Sequence, residues 1–427
     1  LSLTPDGRLS WTPSRAEENQ TFVVTITATD SGAPPLSSKR TFRIRVDPGL
    51  EPGYEAVQID TSDGPATVVV PRQKFVFEAS NRTLYLSASG ADANPGTLDA
   101  PWRTFSHAVT KLEPGDVLYV RGGVYAEPFE VRTIGRPGRP VVISAYPGER
   151  VKIVEPDGWR DTHRDGALIT LHDCWWVWLH GFEIVGSWRY GNAYMPGFGG
   201  SCVVLAGEGN RLLNCIVRLS YDTGIAIRWG NCLAEGNVVL ECGTPWEGRG
   251  IGIGGNPDDR SIVRGNITLR CSGINMNYGY GAHVYNNLVV DPPALGLSGS
   301  ASRLIAAHNV IARSRSMGLH VGREFGTNSF VNNVFFDSAP WHVYFDDQAG
   351  EAAHLALGNT FDFNLLDPDS AIARPSGWFA AWAGQHLIHA NPHFQDAGRN
   401  DFRLRPTSPA RNAATEVRLL GARRYPD

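Results

Sequence analysis

Between residues 210 and 366 one pattern recurs seven times: a short apolar strand, an Asn, a second apolar strand, a turn, then Gly opening a third, alternating strand. The Asn-centred segments read NCIVRL from Asn214, NVVLEC from Asn237, NITLRC from Asn266, NLVVDP from Asn287, NVIARS from Asn309, NVFFDS from Asn333 and, more degenerate, NTFDFN from Asn359. Successive steps of 23, 29, 21, 22, 24 and 26 residues specify a solenoid, in which each repeat is one coil and stacked coils bury a shared core. Three strands per coil without helical periodicity make it an all-β, three-sheet β-helix. An Asn in the sharp turn before the second strand can bond its equivalent one coil away, so these residues are read as a structural ladder.

Composition adds bounds. Gly 47 and Pro 28 signal many tight turns, and a net charge of −4 with a pI near 6.3 offers no basic face, which argues against nucleic acid as a partner. No apolar run approaches the roughly 20 residues of a membrane span. The cations of the repeats are all Arg: the four Lys are Lys39, Lys74, Lys111 and Lys152. The six Cys form no CxxC pair and no Cys/His zinc spacing. Cys242 and Cys271 each fall five residues after a repeat Asn, in a column that Ser314 and Ser338 continue, and are read as small buried thiols.

The third strand of each coil aligns as GIAIR (224–228), GIGIG (250–254), GINMN (273–277), GLSGS (296–300), GLHVG (318–322) and, less regularly, PWHVY (340–344). Period-two alternation sends Ile225/Ile227, Ile251/Ile253, Ile274/Met276, Leu319/Val321 and Trp341/Val343 inward. Two columns then face outward. The first is Ala226, Gly252, Asn275, Ser298, His320 and His342; the second is Arg228, Gly254, Asn277, Ser300, Gly322 and Tyr344. A floor of Gly, Ser and Asn carrying Arg, His and Tyr suits a groove for a polyhydroxylated chain. In this alignment His320 and His342 are neighbours about 4.8 Å apart and titrate as a coupled pair, a useful acid/base poise.

Turns flanking the floor supply the remaining candidates. Trp188, Tyr190, Trp229 and Trp246 are sugar-stacking platforms, with Asn275, Asn277, Tyr278 and Tyr280 as further binding groups. Arg228, Arg249 and Arg323 can pair bidentately with carboxylates, and Tyr344 is a proton donor. Asp258, Asp259 and Asp347 are candidate oxygen ligands for Ca²⁺, the one cofactor these turns suggest. Glu324 with Asp346 or Asp347 is an alternative acid–base pair for a glycosidase.

Upstream, TFVVTITATD (21–30) and RTFRIRVD (40–47) alternate strongly around the turn-rich SGAPPLSSK, a β-hairpin with a long loop. The stretch GRLSWTPSRAEENQTFVVTITATDSGAPPLSSKRTFRIRV resembles the C-terminal half of a cadherin-like or immunoglobulin-like domain. That resemblance implies a secreted or bacterial cell-surface, multi-domain protein continuing before Leu1, where the sequence shows neither Met nor signal peptide. Residues 48–82 form a linker with extra strands, and 83–427 the solenoid with its C-terminal cap. The opening YLSASGADANPGTLDAPWRTFSHAVTKLEPGDVLYVRGGVY (85–125) resembles the first coil of right-handed parallel β-helix proteins of the pectate lyase-like superfamily. Within it Thr104 reads as the N-cap of a short helix covering the open end of the solenoid. GRPGRPVVISAYPGERVKI, WVWLHGFEIVG and the closing NPHFQDAGRNDFRLRPTSPARNAA extend the resemblance over roughly 83–415.

The superfamily implies that the third strands floor a substrate cleft, and it leaves the chemistry open. The Asp-rich motifs of polygalacturonases are absent, NYGYGAH (277–283) only faintly matches the alginate epimerase signature, and without Lys in the coils an Arg must serve where lyases of this kind use a basic residue. The favoured expectation is a monomeric extracellular polysaccharide lyase acting by β-elimination on a uronic-acid glycan. A glycoside hydrolase is the alternative, and a non-catalytic glycan-binding or adhesin β-helix the third.

Overall fold

The computed structural model describes residues 2–3, 9–10, 21–45, 54–61, 64–71, 77–159, 166–186, 200–243, 251–255, 260–322, 326–346, 355–369, 371–374, 379 and 382–413. Chain contacts separate two compact units, one of residues 1–59 with 67–72, the other of 60–66 with 73–427. In the first, Thr21–Thr29 pairs antiparallel with Ser37–Arg45 over nine residues, the hairpin predicted from its alternation.

The second unit is a parallel β-helix of three sheets. Sheet I has ten strands, from Phe129–Val131 to Ala371–Arg374. Sheet II has eleven, from Thr83–Leu86 to Thr360–Asp362, and sheet III eleven, from Gly123–Tyr125 to Ile388–His389. Each coil visits sheets I, II and III in turn, so neighbours within a sheet are three strands apart in sequence. Inward residues stack in register. In sheet III the column runs Val217, Val239, Thr268, Val289, Ile311, Phe335, and in sheet I Ile225, Ile253, Ile274, Leu297, Leu319, Val343, all buried. Each such aliphatic side chain contributes about 1.5–3 kcal/mol over an exposed one. That gain exists only when a neighbouring coil is present.

The Asn ladder forms, shifted at both ends from the sequence reading. Asn237, Asn266, Asn287, Asn309 and Asn333 each donate Nδ2 to the next Oδ1 at 2.9–3.0 Å, and the last acceptor is Asn364, not Asn359. Asn359 belongs to another corner, where it accepts from the Asn328 N–H. Asn214 also lies outside the ladder. Its φ of 51° places it in the left-handed turn position, and Cys215 takes the ladder site, its N–H bonding Asn237 Oδ1 at 2.9 Å. All six Cys are buried free thiols, and the Cys242 N–H points at Cys271 Sγ in the adjacent coil.

The ends of the solenoid are closed by aromatic residues. Thr104 caps the helix Phe105–Ala108 by accepting from the His107 N–H, and buried Phe105 stacks on Phe129 with ring centres 4.3 Å apart. At the far end Trp382 packs against Phe345 and Phe361, each at 5.0 Å. No helix among the described residues is long and apolar enough to cross a membrane.

Candidate active site

The outward face of sheet I is set by its register. The first outward column reads Glu130, Thr170, Val204, Ala226, Gly254, Asn275, Ser298, His320, Tyr344. Two residues further along each strand comes a second column that includes Arg228, Asn277, Ser300, Gly322 and Asp346. Two coils therefore sit two residues away from the sequence alignment: Gly254 replaces Gly252 in the first column, and Tyr344 replaces His342.

The cause is a column of glycines at the corner entering sheet I. Gly224, Gly252, Gly273, Gly296 and Gly318 stack there, and a Cβ on Gly273 would collide with the Gly296 carbonyl oxygen. On Gly224 it would lie 2.5 Å from Val239 Cγ1, pointing into the core. In the last of these coils the register partner of Gly318 is His342. Its ring is 0% exposed, with Nε2 3.0 Å from the Asp367 carbonyl and 3.2 Å from the Asp367 carboxylate. The His320–His342 pair expected on the floor does not exist, and His342 is a structural residue. Trp341, expected inward, is partly exposed, and its ring centre lies 5.9 Å from that of Tyr344.

Described candidates thus fall into two groups. At one end, Arg228 and Trp229 follow the strand Thr223–Ile227, with His172 edge-on to Trp229 at 5.8 Å. Asp222 precedes the same strand, hydrogen-bonded to the Thr223 side chain and within charge–charge reach of Arg228. Burial pushes the Asp222 carboxyl up to about 6, against the opposing pull of Thr223 and Arg228. Burial likewise lowers the Arg228 guanidinium from its ordinary value, against the charge of Asp222.

The other group is His320, Tyr344, Trp341 and Asp346. His320 stacks on Tyr344 at 5.9 Å, and its Nδ1 lies 3.4 Å from Ser300 Oγ. From Ala226 to His320 are four strand steps, about 19 Å at 4.8 Å each. Arg228 and His320 cannot act on one sugar, so the described catalytic candidates fall into two separate groups. Between the groups sit Asn275, 9% exposed with its Oδ1 buried and unpartnered, and Asn277, whose Oδ1 accepts from Ser298 Oγ at 3.5 Å. Tyr278 is 71% exposed and Tyr280 44%, with Arg303 over the Tyr280 ring at 5.1 Å.

Arg249, Arg323, Glu324, Trp188, Tyr190, Trp246, Asp258, Asp259 and Asp347 lie outside the described residues. Among the described ones, no three His, Cys, Asp or Glu side chains gather to hold a metal ion. Sequence reasoning missed Asp222, which reads as an ordinary turn acid in VRLSYDT. Its burial and its charge coupling to Arg228 set it apart, and neither is written in the local sequence.

Comparison with known proteins follows the same architecture. Residues 84–245 match the model of the Pel9A-like right-handed β-helix region. An uncharacterised Bacillus subtilis protein, YwoF, is 32% identical over 105 residues, 25% of this chain and 22% of that protein. Pectate lyase PEL9 of Emericella nidulans is 36% identical over 72 residues, 16% of this chain and 18% of the enzyme. The matches thus span about a fifth of the length of these curated relatives. Among solved structures, a GH136 lacto-N-biosidase from Eubacterium ramulus superposes with a TM-score of 0.51 at 15% identity, covering 72% of this chain and 68% of its own, a likeness of fold. The chain folds as a right-handed parallel β-helix, of which residues 84–245 are similar to the Pel9A-like right-handed β-helix region.

Proposed function

We propose that this protein cleaves an acidic polysaccharide bound along the outward face of sheet I, with Asp222 and Arg228 as the reacting pair. The observation that carries this reading is a carboxyl and a guanidinium, both partly buried and coupled in charge, that flank one strand of sheet I, the sheet whose outward columns are otherwise small and hydrogen-bonding. The name of the fungal relative, a pectate lyase, supports the same substrate class.

The step is β-elimination at a uronosyl residue. Arg228 pairs with the sugar carboxylate, which spreads the charge that develops when the adjacent C5–H bond breaks. Asp222 takes the C5 proton as a carboxylate. The C–H electron pair becomes the C4–C5 double bond as the C4–O bond breaks, and the departing oxygen receives the proton from Asp222. No net proton is consumed. A carboxyl near 6 is mostly ionised at neutral pH and close enough to it to return the proton.

Hydrolysis is the second reading, because a carboxyl raised by burial also suits a glycosidase acid. It needs a second carboxyl about 5–10 Å away. Among the described residues of the two outward columns, the acid closest to the Asp222 strand is Glu130, three steps or about 14 Å distant. Elimination is therefore favoured. Incubation with polygalacturonate, alginate and xylan, following both ultraviolet absorbance of unsaturated uronates and new reducing ends, separates the two. Reducing ends without absorbance would overturn elimination.

A further inference from the structure

We propose that Cys242 and Cys271 form a disulfide that clips two neighbouring coils together when the chain folds under oxidising conditions, the thiol pair being its reduced state. Nothing in it depends on the reaction assigned to Asp222 and Arg228.

The pair follows from register. Leu240 and Leu269 are partners in sheet III, and the Glu241 N–H donates to the Leu269 carbonyl at 3.1 Å, so the coils are still aligned as the turn begins. Neighbouring coils are about 4.8 Å apart, inside the roughly 4.4–6.8 Å between Cα atoms that a disulfide spans. The Cys242 N–H points at Cys271 Sγ at 3.5 Å, and the two thiols lie within hydrogen-bond reach of each other. Other coils put Ser220, Ser314 and Ser338 at this corner. Ser220 and Ser314 turn their hydroxyls to the carbonyl three residues on, Thr223 at 2.7 Å and Met317 at 2.6 Å. The thiols turn back instead, to the Leu240 carbonyl at 3.5 Å and the Leu269 carbonyl at 3.3 Å. A thiol is a weak donor, so little is lost when those contacts give way to an S–S bond. Cys174, Cys215 and Cys232 have other neighbours: Asn210 Nδ2 at 3.4 Å, the Leu213 carbonyl at 3.4 Å and the Gly207 carbonyl at 3.2 Å. Cys202 is the competitor, within electrostatic reach of Cys242 while donating to the Arg218 carbonyl at 3.6 Å.

The step is thiol–disulfide exchange with a disulfide-bearing oxidant, either small like oxidised glutathione or a protein with an oxidised CxxC pair. One cysteine thiolate attacks the oxidant and releases one of its sulfurs as a thiol; the second cysteine displaces the other. An S–S bond forms, and two electrons and two protons leave on the oxidant as its two thiols. Both cysteines are buried, at 3% and 0% exposure, and burial, then the neighbouring thiol, holds the Cys242 thiol well above its ordinary value. Exchange needs a thiolate, so the bond is made while the coils are still open and is shielded from reductant once they close. The bridge closes a loop of 28 intervening residues, a constraint that stabilises by restricting the unfolded chain. Inside that loop lies the strand Ile251–Gly255, the sheet I partner of the strand that Asp222 and Arg228 flank.

The test uses the whole chain, secreted into a bacterial periplasm so that oxidation accompanies folding. Purified protein is unfolded in denaturant with an alkylating reagent, alkylated thiols are counted by mass spectrometry, and any bridge is located by peptide mapping. Of the six cysteines, four should be alkylated in wild type, with Cys242 joined to Cys271, and all six after prior reduction in denaturant. Cys242→Ser and Cys271→Ser install the residue that other coils already use at this corner, and each should show five alkylated thiols with or without reduction. Reductant present during a thermal scan should lower the melting temperature of wild type by several degrees and leave both variants unmoved. Six alkylated thiols in secreted wild type, a bridge through Cys202 or any other cysteine, or a wild-type melting temperature that reductant leaves unchanged would overturn the proposal.

Discussion

Replacing Asn287 by Ala removes four hydrogen bonds from one buried turn. Its Nδ2 donates to the Val263 carbonyl at 2.9 Å and to Asn309 Oδ1 at 2.9 Å; its Oδ1 accepts from the Asn266 N–H at 2.9 Å and from Asn266 Nδ2 at 3.0 Å. Two of those partners keep another bond: Asn266 Nδ2 still reaches the Ala234 carbonyl, and Asn309 Oδ1 still receives the Asn287 N–H. The Val263 carbonyl and the Asn266 N–H lose the partner described. At about 1–3 kcal/mol for each buried group left bare, the loss is roughly 2–6 kcal/mol, a large part of the 5–15 kcal/mol typical of a domain. Asn214→Ala is the matched control. It shares the sequence pattern but lies outside the ladder, its Nδ2 has no partner, and the cost is about 1 kcal/mol for an alanine in the left-handed region. Asn214→Gly should cost nothing. Denaturant unfolding together with hydrogen exchange of residues 262–290 would report both the global loss and its location. Equal losses for Asn287→Ala and Asn214→Ala would refute the ladder as described.

Two further outcomes follow from buried ionisable groups. Asp222, pushed up to about 6, binds a proton more tightly folded than unfolded, so its contribution to stability is complete below about pH 4 and is lost as pH rises through 6. Asp222→Asn should therefore raise the melting temperature at pH 7, with the gain vanishing near pH 4, while kcat/KM of the wild type climbs with pH through about 6; a melting temperature that falls at pH 7 would contradict this. His342→Ala should destabilise by about 1–3 kcal/mol, because it takes one partner from buried Asp367, whose carboxyl is held below its ordinary value, against its own burial, by His342 and by the Asp337 N–H. In that variant the folded fraction should keep wild-type kcat/KM, as a floor histidine would not.

The period, the three-strand coil, the ladder and the Thr104 cap were legible because each repeats or marks a chain reversal that few residue types allow. Register was less legible, for a physical reason. Alternation has period two, so GIGIG fits its neighbours equally well when displaced by two residues, and only the glycine corner fixes the choice. In the coil of PWHVY that corner is filled by His342, which finds its partner Asp367 some 25 residues later; no local pattern reveals it. The same slip sent Trp341 inward and left Tyr344 one column away from His320. Asp222 was hidden differently, since a carboxyl before a strand looks like any turn acid until burial changes its chemistry.

The most direct test compares wild type with Asp222→Asn and Arg228→Ala on polygalacturonate and alginate, recording ultraviolet absorbance and reducing ends in the same reaction. The account predicts that absorbance and reducing ends rise together for wild type on an acidic polymer, and that each variant loses at least about a hundredfold in kcat/KM, in line with removing a proton-transfer group or a charge-stabilising donor. Unchanged turnover by Asp222→Asn, or no cleavage of any acidic polymer by wild type, would contradict it.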